Sequence, residues 1–358
     1  ENESGGSYAV YVVEDQAGAK LRVVALEVAN SDAAAKFDEA IFHDTALSEV
    51  LPPSMYDGHG VGRVAVSPVT LDQSRPGLAP FVALEISPSS MSSFPSESAR
   101  HAAAIVAQGK HVVYKSIENA YPLGLDVTRL DAFYEAGVRM VGLVHMMNNQ
   151  FADSSTDPDG LKWNGLSPLG KDLIRRANAL GMIIDMSHSA EKSTLDAINL
   201  SQKPIAITHA NPEFWHKALR NKSNDLLKAL ANSKGMLGLS LYAHHLKDST
   251  NCKLESFCEM VARTVDIMGI NNVGIGSDLC LNQPDTVVEW MRNGTWTKSK
   301  NYGEGSKNKP GFPKQPDWFI DARGFKNLEI GLKNVGFNIE DVNKILGNNW
   351  YNFYKGIN

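Results

Sequence analysis

GMIIDMSHSA (181–190) and KPIAITHANP (203–212) decide how this chain reads. In each, a short apolar run ends in Ser or Thr, then His, then small turn residues. VRMVGLVHMMNN (138–149) repeats the pattern with His145, and NVGIGSDLC (272–280) does so with Asp278. HVVYKSIE (111–118) closes on Glu118 in the same manner. Runs of this length between turn signals predict buried strands, and the stretches between them carry helical periodicity. Strands alternating with helices at this spacing predict a parallel sheet with right-handed crossovers. A His or carboxylate at the C-terminal end of each strand is the layout of a parallel α/β barrel, a TIM-like (β/α)8 fold, with its site at that rim. Imidazoles and carboxylates converging on one rim suit a divalent metal, which points to a metal-dependent hydrolase.

Working outward, the spacing predicts strands at 111–118, 139–144, 182–187, 204–208, 235–242 and 272–277. Helices are expected at 98–108, 126–136, 165–181, 190–200, 223–233 and 254–268. The helix in GLSPLGKDLIRRANALG (165–181) is the best signposted, with Ser167 as N-cap, Pro168 at its first position and Gly181 at its end. Six strands leave two of eight to come from the first 100 residues or from upstream of Glu1. Residues 1–100 form an irregular β-rich segment, partly completing or extra to the barrel, and 101–358 form the metal-binding barrel. In the former, SYAVYVV (7–13) and KLRVVALEVA (20–29) flank a turn, 32–42 has helical periodicity, and 62–71 and 81–87 read as strands. A long loop at 281–324, rich in Trp, Gly, Pro and Lys, is expected over the active rim. IEDVNKILGNNWYNFYKGIN (339–358) reads as a helix broken at Gly347, its aromatic second segment serving packing.

The 358 residues suffice for a large core, and 43% hydrophobic with 21% charged residues is ordinary for a soluble globular protein. A net charge of −5 without basic runs argues against nucleic acid as a partner. No apolar stretch approaches the roughly 18–20 residues of a transmembrane segment. No signal peptide is visible at Glu1, although a processed N-terminus would read the same, and a periplasmic or secreted compartment is favoured slightly over the cytoplasm. Three cysteines make no disulfide framework. Cys252 and Cys258 could bridge locally or remain thiols, and Cys280 belongs near the active rim.

Several stretches resemble the membrane (renal) dipeptidases, zinc metallopeptidases of the amidohydrolase barrel type. GLSPLGKDLIRRANALGMIIDMSHSA (165–190) is the most specific, and PIAITHANP (204–212), KSIENAYPLG (115–124), GLVHMMNNQFADS (142–154), ALRNKSNDLL (218–227), VGIGSDLC (273–280) and ILGNNWYNF (345–353) are similar to further family segments. The resemblance spans roughly 98–358. It implies a dipeptidase acting on a short peptide with a free carboxylate, with one or two zinc ions and a homodimer left open. Glu118 would bridge the metals, with His188 and His209 binding one of them. Asp278 would orient a water and move its proton, and His145 would stabilise the oxyanion. Arg220 would grip the substrate carboxylate, and Tyr242 matches a position that contacts substrate or serves as packing.

The family's opening His-x-Asp, which binds the second metal, has no counterpart in this sequence. The nearest text, Asp57-Gly58-His59-Gly60, lacks the second Asp and lies closer to Glu118 than the resemblance implies. His43, Asp44 and His59 read as surface residues. The motif either precedes Glu1, has degenerated or has been replaced. The second and third readings keep alive a non-catalytic or maturation-related barrel that has lost one metal site. An amidohydrolase acting on another amide or a lactone is the further alternative.

Overall fold

The computed structural model describes residues 115–279 and 313–357 in full, and the backbone of short strands at 7–14, 20–27, 64–65, 83–84 and 112–113. Its centre is a seven-stranded sheet. Six strands run parallel and in chain order: β6 (Lys115–Ile117), β7 (Val138–Gly142), β8 (Ile183–Asp185), β9 (Ala206–Ile207), β10 (Met236–Leu239) and β11 (Val273–Ile275). One further strand, β3 (Val64–Ala65), lies antiparallel against β6, pairing Val64 with Ile117. Six parallel strands in sequential order are consistent with a TIM-like barrel, and the expected six strands all appear. Among the described residues no pairing joins β11 to β3, so the sheet is open as described.

From the N-terminal segment come β1 (Ser7–Glu14) and β2 (Lys20–Glu27), the expected antiparallel hairpin, in register Ser7 with Glu27. β4 (Ala83–Leu84) pairs antiparallel with β5 (Val112–Val113). The helices expected at 32–42 and 98–108, together with His43, Asp44, His59 and Cys280, lie outside the described residues, as do the 1–100 boundary and most of loop 281–324.

Of the helices between strands, those at Pro168–Leu180 and Asn224–Asn232 are capped by serines as their sequences dictate. α1 (Leu130–Glu135) follows a 3-10 turn capped by Asp126, and α2 (Pro168–Leu180) starts on Ser167, whose Oγ accepts from Gly170 N at 2.9 Å. Gly181 ends α2 with φ of 69°, the left-handed conformation glycine adopts without strain. α3 (Glu191–Leu200), α4 (Asn224–Asn232, capped by Ser223) and α5 (Leu254–Met268) complete the crossovers. The strands stop one to three residues short of their expected C-terminal ends, because backbone pairing stops before the apolar run does. His145, His188 and Asp278 therefore stand three residues past their strands, on the rim loops.

Alternation places Val141, Ile184, Ile207 and Leu237 on the helix-covered face of the sheet. Met140, Ile183, Ala206 and Met236 face the other way, onto Trp350, Tyr354 and Ile357. Those three belong to α8 (Asn349–Ile357), which follows α6 (Phe325–Asn334), α7 (Ile339–Asn343) and a π-helical turn (Lys344–Asn348) containing the irregular Gly347. Trp350 Nε1 donates to Ile275 O at 3.0 Å, so the C-terminal aromatics are packing, as the sequence suggested. In the described end of the long loop, Trp318 docks on Phe257 of α5 and its Nε1 donates to Cys252 O, while buried Phe319 packs against Trp318 and Phe325. Cys252 and Cys258 are free buried thiols, so the local bridge is not formed, and burial pushes both up to about 12.

Candidate active site

Each residue singled out on the strand ends emerges from the same edge of the sheet. Glu118 follows β6, His145 follows β7, His188 follows β8, His209 follows β9, Tyr242 follows β10 and Asp278 follows β11. The structure brings four of them into one cluster. His188 Nε2 is 3.2 Å from Glu118 Oε1 and 3.0 Å from His209 Nε2, and His209 Nε2 is 3.7 Å from the same carboxylate oxygen. His145 Nε2 lies 3.8 Å from Glu118 Oε2, with its ring 4.2 Å from that of His188.

The donor set of Glu118, His188 and His209 fits a metal ion. Their ligand atoms all lie within 4.8 Å of one another. Zinc bonded to imidazole at about 2.0–2.1 Å in tetrahedral geometry spaces its ligand atoms about 3.3 Å apart, the mean of the three separations seen here. Two histidines and a carboxylate, leaving a fourth position free, form a catalytic rather than a closed structural set. Burial, then the nearby charge of Arg220 and His145, holds His188 well below the usual imidazole range and therefore neutral, the form that binds metal. Its Nδ1 is buried without a hydrogen-bond partner among the described residues.

Behind the histidines is a polar layer that the sequence reading did not single out. Asp185, the last residue of β8, receives Ser187 N at 3.0 Å, Ser187 Oγ at 2.5 Å and Thr208 N at 3.0 Å on Oδ1. Its Oδ2 is 2.8 Å from Thr208 Oγ1, which in turn is 2.8 Å from His209 Nδ1. The available signal was the hydroxyl residue preceding His in both decisive stretches, together with the carboxylate three residues before His188. Thr208 can occupy its place because Gly238 of β10 and Gly276, just past β11, approach it: a Cβ at either would overlap the Thr208 carbonyl oxygen.

The loop before α4 braces both histidine loops. Arg220, buried, donates to Ser187 O and reaches His209 O at 3.4 Å, while Lys222 Nζ donates to Ser189 O at 2.9 Å. Burial, then Arg220, pulls the Lys222 ammonium down to about 7. Asn221 Nδ2 donates to His245 O, and Asn211 Nδ2 to Ser240 O and His245 O, tying this loop to the end of β10. Ser155 N holds His188 O at 2.9 Å. Tyr242 is buried with its ring 5.2 Å from His245. Asp278 has φ of 51°, a left-handed conformation that is uncommon for a residue other than glycine and recurs at functional sites.

The model of the membrane dipeptidase family (peptidase family M19) matches residues 87–290, more than half of the chain. The chain belongs to this family. Dipeptidase tcpJ of Claviceps purpurea is 27% identical over 246 residues, 68% of this chain and 51% of its own length. Dipeptidase aclJ of Aspergillus oryzae is 29% identical over 164 residues, 45% of this chain and 39% of its own. The chain thus spans about half the length or less of these curated relatives. Among solved structures, an amidohydrolase from Pseudomonas aeruginosa superposes with a TM-score of 0.66 at 24% identity, covering 74% of this chain and 78% of that one. A metallopeptidase from Rhodobacter sphaeroides, liganded with a phosphinate mimic of the dipeptide L-Ala-D-Ala, gives 0.59 at 22% identity, covering 72% and 67%. The α/β fold expected from the sequence is therefore that of the membrane dipeptidases and their amidohydrolase neighbours.

Proposed function

We propose that this chain is a zinc-dependent dipeptidase. The observation that carries the reading is the convergence of Glu118 Oε1, His188 Nε2 and His209 Nε2 within 3.7 Å at the C-terminal rim, in a chain of the membrane dipeptidase family. A metal held there would supply a hydroxide at neutral pH and polarise the scissile carbonyl.

The remaining roles belong to the chain's own side chains. His145, against Glu118 and His188, is positioned to donate to the oxygen that gains charge. Asp278 takes the proton from the attacking water and passes it to the leaving amine. Arg220 is the cation behind the two histidines, and its planar fork suits a substrate carboxylate as lysine would not. Tyr242 lines the substrate side at the end of β10. A dipeptide with a free C-terminus is the substrate to try first, since the Rhodobacter sphaeroides neighbour is liganded with a mimic of L-Ala-D-Ala.

If no His-x-Asp precedes Glu1, one specific rival gains ground, a barrel that keeps a single metal position and does not hydrolyse peptides. Metal content with turnover decides between them. The dipeptidase reading expects bound zinc together with cleavage of L-Ala-D-Ala or a related dipeptide. One zinc equivalent with no cleavage across a dipeptide, amide and lactone panel would establish the rival.

A further inference from the structure

The hydrogen bonds behind His209 leave little freedom in where their protons sit. Ser187 Oγ accepts from two main-chain donors, Thr208 N at 2.7 Å and His209 N at 3.1 Å, which occupy both of its lone pairs. Its own proton goes to Asp185 Oδ1 at 2.5 Å. Thr208 Oγ1 also lies 3.0 Å from Ser187 Oγ, whose lone pairs are already taken, so the Thr208 hydroxyl proton has two open destinations, Asp185 Oδ2 and His209 Nδ1, each at 2.8 Å. An ionised carboxylate can only accept, and Asp185 Oδ2, in a residue that is 7% exposed, receives no other donor among the described residues. Thr208 thus donates to Asp185, and its oxygen must accept from His209 Nδ1–H.

We propose that Asp185 and Thr208 are positioning residues that lock His209 as the Nδ1–H tautomer, leaving an Nε2 lone pair aimed at Glu118 and His188. The carboxylate acts through a hydroxyl, so its influence crosses from β8 to β9 and reaches the imidazole without touching it. A histidine that binds metal through one nitrogen commonly donates from the other, and such partners are worth about 10–100-fold in metal affinity. The consequence for zinc rests on the metal reading above, but the tautomer assignment does not.

The relay makes an unusual demand on Asp185→Asn. Oδ1 faces two main-chain N–H groups, so the amide of that variant turns its carbonyl there and its NH2 toward Thr208. Thr208 then receives a proton from the amide and must give its own to His209 Nδ1. The imidazole proton moves to Nε2, the atom needed for metal, although the side chain has hardly changed shape.

The test uses the full chain with 15N-labelled histidine, stripped of metal, with the His209 signals identified by their loss in His209→Asn. Nitrogen shifts report the tautomer directly, and zinc titration with a competing chelator reports affinity. Expected are Nδ1–H in the wild type, Nε2–H in Asp185→Asn with zinc binding weakened about 10–100-fold, and wild-type behaviour in Thr208→Ser, which retains the hydroxyl. Should Asp185→Asn not fold, Thr208→Val against Thr208→Ser makes the same comparison, with loss of zinc affinity in the valine variant alone. An Nε2–H wild type, or an Asp185→Asn with unaltered tautomer and affinity, overturns the proposal. Nδ1–H in a wild type that binds no zinc upholds the relay and removes the metal reading instead.

Discussion

His188 Nε2 and His209 Nε2 face each other at 3.0 Å, with Glu118 Oε1 at 3.2 and 3.7 Å from them. Burial keeps His188 neutral, so this group of lone pairs is brought to rest by a shared proton or a cation. Zinc is therefore expected to stabilise the fold by mass action, about 2.7 kcal/mol at one hundred times its Kd. Differential scanning calorimetry should register a higher Tm with zinc and a lower one with a chelator. In His188→Ala combined with His209→Ala, Tm should respond to neither. An undiminished zinc response in that variant would place the metal elsewhere.

Arg220 serves the histidine loops through Ser187 O and His209 O, and in the proposed function it also meets the substrate. Arg220→Ala is expected to lose about 2 kcal/mol of stability, as a charged hydrogen bond to buried carbonyls disappears. Its KM for a free dipeptide should rise toward that for the same dipeptide amidated at its C-terminus. Steady-state kinetics on the two substrates measures this. A preference for the free acid that survives the substitution would show that another group reads the carboxylate.

Gly238→Ala and Gly276→Ala each drive a methyl into the Thr208 carbonyl, which is main chain and has no rotamer to retreat into. Each should cost about 1–3 kcal/mol, seen as a lower urea midpoint at constant slope. Gly356→Ala, in α8 with nothing within 4 Å of the added methyl apart from its chain neighbours and its own helix backbone, is the matched control and should be neutral or slightly stabilising.

Lys115 Nζ donates to Ala136 O at 2.8 Å, and burial, then Arg139, pulls it down to about 8 from 10.5. The folded state therefore releases this proton before the unfolded chain does. Between pH 8 and 10.5 the unfolded state binds more protons, so stability rises with pH there, by up to about 1.4 kcal/mol per unit. Below that window both states are charged and the cost of burying the ammonium is felt in full. Lys115→Met should flatten this rise in urea titrations run across the window, and an unchanged slope would mean that Lys115 is solvated in the folded state.

What could be read along the chain was whatever local chemistry enforces. Ser167, Pro168 and Gly181 bracket α2 as their side chains require, and α5 spans 254–268 as its periodicity indicated. The apolar runs announced six strands and which residue would stand past the end of each, because a buried parallel strand must be continuously apolar and the polar residue that stops it lies on the rim. Strand lengths were overestimated for the same reason: apolar residues continue into rim loops such as Leu143–Val144, both fully buried without ladder pairing. Asp185 and Thr208 carried only a faint signal, being ordinary polar residues at strand ends.

The sequence by itself determined the parallel α/β order, the helix limits and the identity of Glu118, His188 and His209 as ligand-type side chains at strand ends. Only the tertiary structure decided that these three share one point, that the His145 ring lies against that of His188, and that Arg220 and Lys222 grip the carbonyls flanking His188. It also decided that a carboxylate on β8 governs an imidazole after β9. Helix caps and strand runs are set by neighbours a few positions apart, whereas these contacts join residues 21 to 70 positions apart. Their separations follow from strand register and from glycines that let the backbones close on Thr208, and no local pattern encodes either.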